Sequence, residues 1–198
     1  MAIIVEHEKR RKEILQKSLD VFIEEGYDDV TFQKIADRCG ITRTTLYIYF
    51  SNKHEIFLGS IKELLTEIEK GLVSFINDKS LSSEQALRLM LKSIIDQCES
   101  NRKLFSIILP YLFQLRKSGI NPNEKVKRRT VRMRHHLNTI LISGIKNNEF
   151  KTMNVKYMND LLYSIIEAAI FRISVLNQSD IDDIYGTLNL AIDGFVNN

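Results

Sequence analysis

Only two prolines and eight glycines punctuate the 198 residues of this chain. A fold made of many tight turns needs more of both, so their scarcity favours long helices over a turn-rich β architecture. Cysteine is equally sparse. Cys39 and Cys98 lie far apart, each inside a helical pattern. A disulfide framework would be denser in cysteine, and reduced thiols in a cytoplasmic protein are the simpler reading. No apolar run approaches the ~20 residues of a membrane span. Met1 to Val5 is too short for a signal-peptide core, and its basic residues follow it rather than precede it. There is no P-loop, no dinucleotide glycine pattern and no Cys/His zinc spacing. His54-Glu55 lacks a second histidine at metal-binding distance. No catalytic residue, metal or cofactor is therefore expected.

What is present is helical periodicity. Apolar residues recur at helical spacing from Glu8 to Glu25, with Ile14, Leu15, Ser18, Leu19 and Phe22 on one face and Gly26 placed as a left-handed stop. His7 falls before this helix, in an exposed tail. Thr31 caps a second helix holding Ile35 and Ala36, and Thr42 a third, with Leu46 and Phe50 turned inward. Asn52 and Glu55 form a capping box at the head of a long fourth helix, and Ser82 with Gln85 another at the fifth. Leu104 to Leu115 is apolar nearly all round and is interrupted by Pro110, which predicts a broken or kinked helix. Ser118 to Pro122 reads as a loop. Val126 to Ile145 is amphipathic and ends at Asn147-Asn148. Val155 to Leu176 is a long apolar helix, and Ser179 with Asp182 opens the last. The chain reads as all-α with roughly nine helices.

Tyr27 to Ile56 holds two short helical patterns joined at Gly40. The layout is that of a helix-turn-helix, spanning about residues 31–50, in which one helix braces and the other enters the DNA major groove. Ile14-Leu15, Ser18, Phe22, Gly26-Tyr27, Thr31, Ile35-Ala36, Gly40-Ile41-Thr42, Thr45-Leu46-Tyr47, Tyr49-Phe50 and Asn52-Lys53 together resemble the amino-terminal domain of TetR-type transcriptional regulators. The resemblance covers about the first 57 residues. It implies a DNA-binding domain over 1–54 and a helical effector-binding and dimerisation domain over 55–198. It implies further a symmetric dimer on a palindromic operator of double-stranded DNA, acting as a repressor and released by a small molecule.

The residues themselves suggest the contacts. Arg43, the one long cation of the third helix, can bind guanine O6 and N7 or clamp a phosphate. Thr44 can touch a thymine methyl or a base edge, ahead of Thr45, which also fits a packing role. Tyr47 and Tyr49 can reach phosphates while their rings brace the helix. Thr31 and Thr42 can cap, touch phosphate, or do both. Lys53 is a point charge for phosphate. Residues 1–57 hold nine Lys or Arg against ten Asp or Glu, yet no acid lies between Cys39 and His54. Lys9-Arg10-Arg11-Lys12 is a second basic cluster, read either as a backbone contact or as an ordinary solvated helix start.

In the carboxy-terminal part, Lys125, Lys127, Arg128, Arg129, Arg132, Arg134, His135 and His136 crowd one helix, either as a solvated face or as a site for an anionic ligand. A pocket is expected between the middle helices, with Phe105, Tyr111, Phe113, Met133, Tyr163 and Phe171 as lining or plain core. Ala168, Ala169, Gly186, Ala191 and Gly194 on the last two helices permit close approach and suggest a homodimer through them. Two rival classes stay open: a ligand-binding or scaffold protein with a vestigial helix-turn-helix, and an enzyme without a recognisable motif.

Overall fold

The computed structural model describes residues 2–117, 119 and 123–197, with side chains for all of these except 2–4, 114, 123–127 and 129. Among the described residues there are nine α-helices, no strand, and one isolated antiparallel bridge between Phe150 and Val196. No helix of these residues is long and apolar enough to cross a membrane. The chain divides into two compact units, Met1–Glu69 and Lys70–Asn198.

The first unit holds α1 (Ala2–Glu25), α2 (Phe32–Cys39), α3 (Arg43–Tyr49) and the start of α4 (Lys53–Asn77). Helix α1 begins at Ala2, well before Glu8, so His7 is helical rather than part of a tail. The expectation failed because residues 2–8 lack apolar periodicity, which α-helical hydrogen bonding does not require. Ile14, Leu15, Val21 and Phe22 are buried on one face. Phe22 meets Phe57 edge-on at 4.8 Å, and Ser60 of α4 donates to the Leu15 carbonyl at 2.7 Å. A buried aromatic of this kind stabilises by roughly 1.5–3 kcal/mol. At the α1 end, Gly26 adopts φ +81°, a conformation open to glycine at no steric cost.

In the second unit, α5 (Ser83–Ser100) is central, packing against α6 (Arg102–Lys117), α7 (Asn123–Lys146), α8 (Val155–Ser174) and α9 (Asp182–Phe195). The buried face of α5 carries Leu87, Met90, Leu91, Ile94, Ile95 and Cys98. Its capping box is as expected: Ser82 accepts from the Gln85 N–H and Gln85 bonds the Ser82 N–H in return. The opposite edge of α5 is polar. Arg88 bonds Asn189 at 3.0 Å and pairs with Asp193, while Tyr185 donates to Asp96. Burial pushes the Asp96 carboxyl up, but hydrogen bonds from Lys92 and Tyr185 outweigh it and hold the group below its ordinary value. Asn159, buried on α8, donates to the Arg134 carbonyl and to Asn138, each at 2.7 Å, tying α8 to α7.

Four expectations are corrected here. Helix α6 is not broken at Pro110 but runs on through it. Proline removes one N–H and crowds the carbonyl four residues back, at about 3 kcal/mol; burial of Leu104 and Tyr111 on either side offsets that cost. Helix α8 stops at Ser174, and Asn177 turns the chain at φ +51°. Ser179 does not cap α9; the Asp180 carboxylate accepts from the Asp182 N–H at 3.0 Å instead. A cavity of about 190 Å³ lies between α8 and α9, lined by Ser164, Ile165, Ala168, Ala169, Arg172, Ile184 and Thr187; of the residues read as pocket lining or plain core, Tyr111 is buried. Phe113 and Phe171 are instead exposed, because side chains on the outer face of a helix cannot reach its packed side. Of the expected loop, only Gly119 is described. Ser118, Ile120, Asn121 and Pro122 lie outside the described residues, as do the side chains of Lys125, Lys127 and Arg129.

Candidate nucleic-acid interface

The turn between α2 and α3 follows from Gly40. It sits at φ +66°, and its N–H returns to the Asp37 carbonyl at 3.1 Å while that of Ile41 reaches Ala36 at 3.0 Å. This Schellman-like closure satisfies the last carbonyls of α2 and reverses the chain. Helix α3 then starts at once. Thr42 is extended, and its hydroxyl accepts from the Thr45 N–H at 3.1 Å. Thr31 does the same for α2, accepting from Lys34 at 3.3 Å. Ile35, Ala36, Cys39, Leu46 and Phe50 are buried, and α2 packs against α1 and α3. Burial pushes the Cys39 thiol up.

With Leu46 inward, the other face of α3 is solvent-exposed. Arg43 and Thr44 are exposed, Tyr47 is 50% exposed and Ile48 68%. The Arg43 guanidinium donates to the Tyr47 hydroxyl at 3.1 Å and lies over its ring. The Tyr47 ring stacks on Phe32 of α2 with centroids 4.6 Å apart. Tyr49 is half-buried and stacks on His7 of α1 at the same separation. Thr45 is half-buried, and its hydroxyl meets that of Thr42 at 2.8 Å.

Charge is distributed unevenly around this face. On α2, Lys34 pairs with Glu25 and Arg38 with Glu24, so both cations are committed to α1. Arg10 pairs with Glu13 and Arg11 with Glu55. Arg43 differs: its guanidinium donates to a phenol, the Tyr47 hydroxyl. Lys53 is placed unexpectedly. Its ammonium donates to the Tyr27 and Asp28 carbonyls at 2.9 and 3.0 Å and lies over the Tyr27 ring, bracing the α1–α2 loop from inside. Two of its three protons are thereby used, and one is left to point elsewhere. Glu55 likewise departs from the expected box: Asn52 accepts from the Glu55 N–H, but the Glu55 carboxylate reaches the Ser51 N–H rather than that of Asn52. Sequence reading missed the two ring stacks and the Lys53 anchor. Their partners lie 15 or more residues away, where no spacing rule reaches.

A braced helix, a glycine turn and a second short helix offering Arg, Thr and Tyr to solvent define a helix-turn-helix DNA-binding protein. A family model described as "Bacterial regulatory proteins, tetR family" matches residues 14–59, the same segment that builds this interface. The match identifies residues 14–59 as a TetR-type regulatory segment. It is 24% identical over 166 residues to the fatty acid metabolism regulator protein of Bacillus subtilis (strain 168), covering 82% of this chain and 84% of that one. In fold it is similar to a TetR transcription regulator from Haloarcula marismortui ATCC 43049, with a TM-score of 0.83, 20% identity, and coverage of 96% of this chain and 100% of that one. It is also similar in fold to the regulator FadR from Bacillus subtilis in complex with stearoyl-CoA, with a TM-score of 0.72, 22% identity, and coverage of 92% and 97%. The protein is a DNA-binding transcriptional regulator.

Proposed function

We propose that the protein is a repressor that binds a palindromic operator as a homodimer and leaves it when a small molecule binds the carboxy-terminal domain. Residues 1–54 form the DNA-binding domain and 55–198 the effector-binding and dimerisation domain. Arg43, Thr44, Tyr47 and Tyr49 contact the DNA, with Thr31, Thr42 and the remaining Lys53 proton on the phosphates. The observation that carries this reading is the exposed Arg43–Tyr47 pair, held on the open face of α3 by the Phe32 stack. A guanidinium pre-positioned by a ring loses little freedom on meeting a guanine edge. Ile48 beside it offers an apolar surface for a thymine methyl.

Dimerisation through α8 and α9 is supported by their exposed apolar side chains, among them Tyr157, Leu161, Phe171 and Leu190. The likeness to a regulator holding stearoyl-CoA makes acyl-CoA thioesters the first effectors to test. The protein acts in the cytoplasm, on DNA, as a regulator rather than an enzyme.

The experiment is fluorescence anisotropy with DNA flanking the protein's own gene, with and without acyl-CoA, beside light scattering of the free protein. Saturable binding reversed by ligand, and a mass twice that of the chain, are expected. A stable monomer or equal affinity for random DNA overturns the reading.

A further inference from the structure

The most unexpected contact in the first unit joins its amino-terminal helix to the end of the recognition helix. His7 and Tyr49 stack with centroids 4.6 Å apart and planes 24° from parallel. His7 is exposed and Tyr49 half-buried, and the imidazole covers one side of the phenol ring. Tyr47 is arranged alike, with Phe32 against one face. But Phe32 has no polar atom, whereas His7 carries two nitrogens and can carry a charge.

Glu6, Glu8 and Lys9 flank His7 along α1 and are exposed. Arg10 and Arg11, three and four residues along α1, pair with Glu13 at 2.9 Å and Glu55 at 3.3 Å. From α3 the facing group is Tyr49 itself, and on α4 Glu55 is engaged by Arg11 and by the Ser51 N–H. No acid of α3 or of the turn before it is available, since none occurs between Cys39 and His54. Among the described residues no ion pair joins His7 to a carboxylate, and a DNA phosphate beside Tyr49 would give an imidazolium its counter-ion. A positive charge stacked on a phenol ring is itself favoured by the ring's negative face.

We propose that His7 belongs to the DNA-binding surface, and that its protonation strengthens operator binding, so that affinity rises as pH falls. This rests on the DNA-binding role of α3 argued above. Histidine is the side chain whose charge ordinarily changes between about pH 5 and 8. One more neutralised phosphate steepens the dependence of log affinity on log salt by about 0.9.

The test is operator binding by fluorescence anisotropy from pH 5.5 to 8.0 at several salt concentrations, for the wild type, His7→Gln and His7→Lys. Circular dichroism checks that each variant is folded. Relative to His7→Gln, wild-type affinity is expected to rise several-fold towards pH 5.5, with a salt slope steeper by about one, and to match at pH 8. His7→Lys is expected to hold the steeper slope at every pH. The remaining histidines are common to all three proteins, so the difference isolates His7. Parallel pH profiles for wild type and His7→Gln overturn this inference alone, even if the variant binds more weakly throughout. A wild type that binds no operator at any pH overturns the DNA-binding reading and this inference with it.

Discussion

Arg43 and Tyr47, one turn apart on α3, form a closed pair: the guanidinium donates to the phenol oxygen at 3.1 Å while lying 5.6 Å from the centre of the same ring. Neither is buried, so the pair is held by geometry local to the helix and by the Phe32 stack behind it. Arg43→Ala is expected to weaken operator binding by roughly 1–3 kcal/mol and to relax discrimination at one base pair. Isotherms on operator and on random DNA decide. An equal loss on both reduces Arg43 to a phosphate contact.

Lys53→Ala carries two consequences that a purely DNA-contacting lysine would not. The Tyr27 and Asp28 carbonyls lose a charged donor, so the first unit should lose about 1–2 kcal/mol of stability. If the third proton also meets a phosphate, the salt dependence of binding flattens by about 0.9. Denaturant unfolding and a salt titration read the two separately. Unchanged stability would show that the carbonyl contacts contribute nothing net.

Gly144→Ala tests the packing where α7 ends. A Cβ built there would overlap the Phe150 ring, which is buried and folds back over the helix. Overpacking of this kind costs typically 1–3 kcal/mol. Gly71→Ala, in α4 with open space around it, is the control and should stabilise by about 0.5–1 kcal/mol. Equal melting temperatures for the two variants would refute the steric account.

Cys98 should be chemically silent in the native protein. Burial pushes its thiol up to about 12, and only the thiolate is a nucleophile. Iodoacetamide at pH 8, read by peptide mass, is expected to label it only after denaturant is added. The same shift bears on stability. Unfolded, the thiol ionises near its ordinary 9.0, whereas in the fold it keeps its proton to about 12. Below pH 9 the contribution is fully present; between 9 and 12 the unfolded chain sheds a proton that the native one retains, and stability falls. Rapid labelling without denaturant would contradict both statements.

The local devices of the chain were legible from its letters. Gly40, Thr31, Thr42 and the Ser82–Gln85 box act within four residues, and each is found where its chemistry puts it. The inward set Ile35, Ala36, Leu46 and Phe50 follows from a period of 3.6 and is buried as that period requires. Where reading failed, the rule invoked was local but the deciding force was not. Pro110 breaks an isolated helix, yet packing of Leu104 and Tyr111 carries α6 through it. A serine before an acidic turn suggested a cap, yet Asp180 stands nearer the free N–H of Asp182.

The sequence by itself determined the all-α class, the helix-turn-helix and the side of α3 that faces outward, because hydrogen-bond caps and apolar periodicity are short-range. Only the tertiary structure decided that Lys53 turns back onto the Tyr27 and Asp28 carbonyls, that His7 lies on Tyr49, and that Phe150 covers Gly144. The Lys53 and His7 contacts join residues separated by 25 or more positions. Such contacts depend on how helices pack in three dimensions, and packing answers to the shape of the whole core rather than to the order of neighbours along the chain.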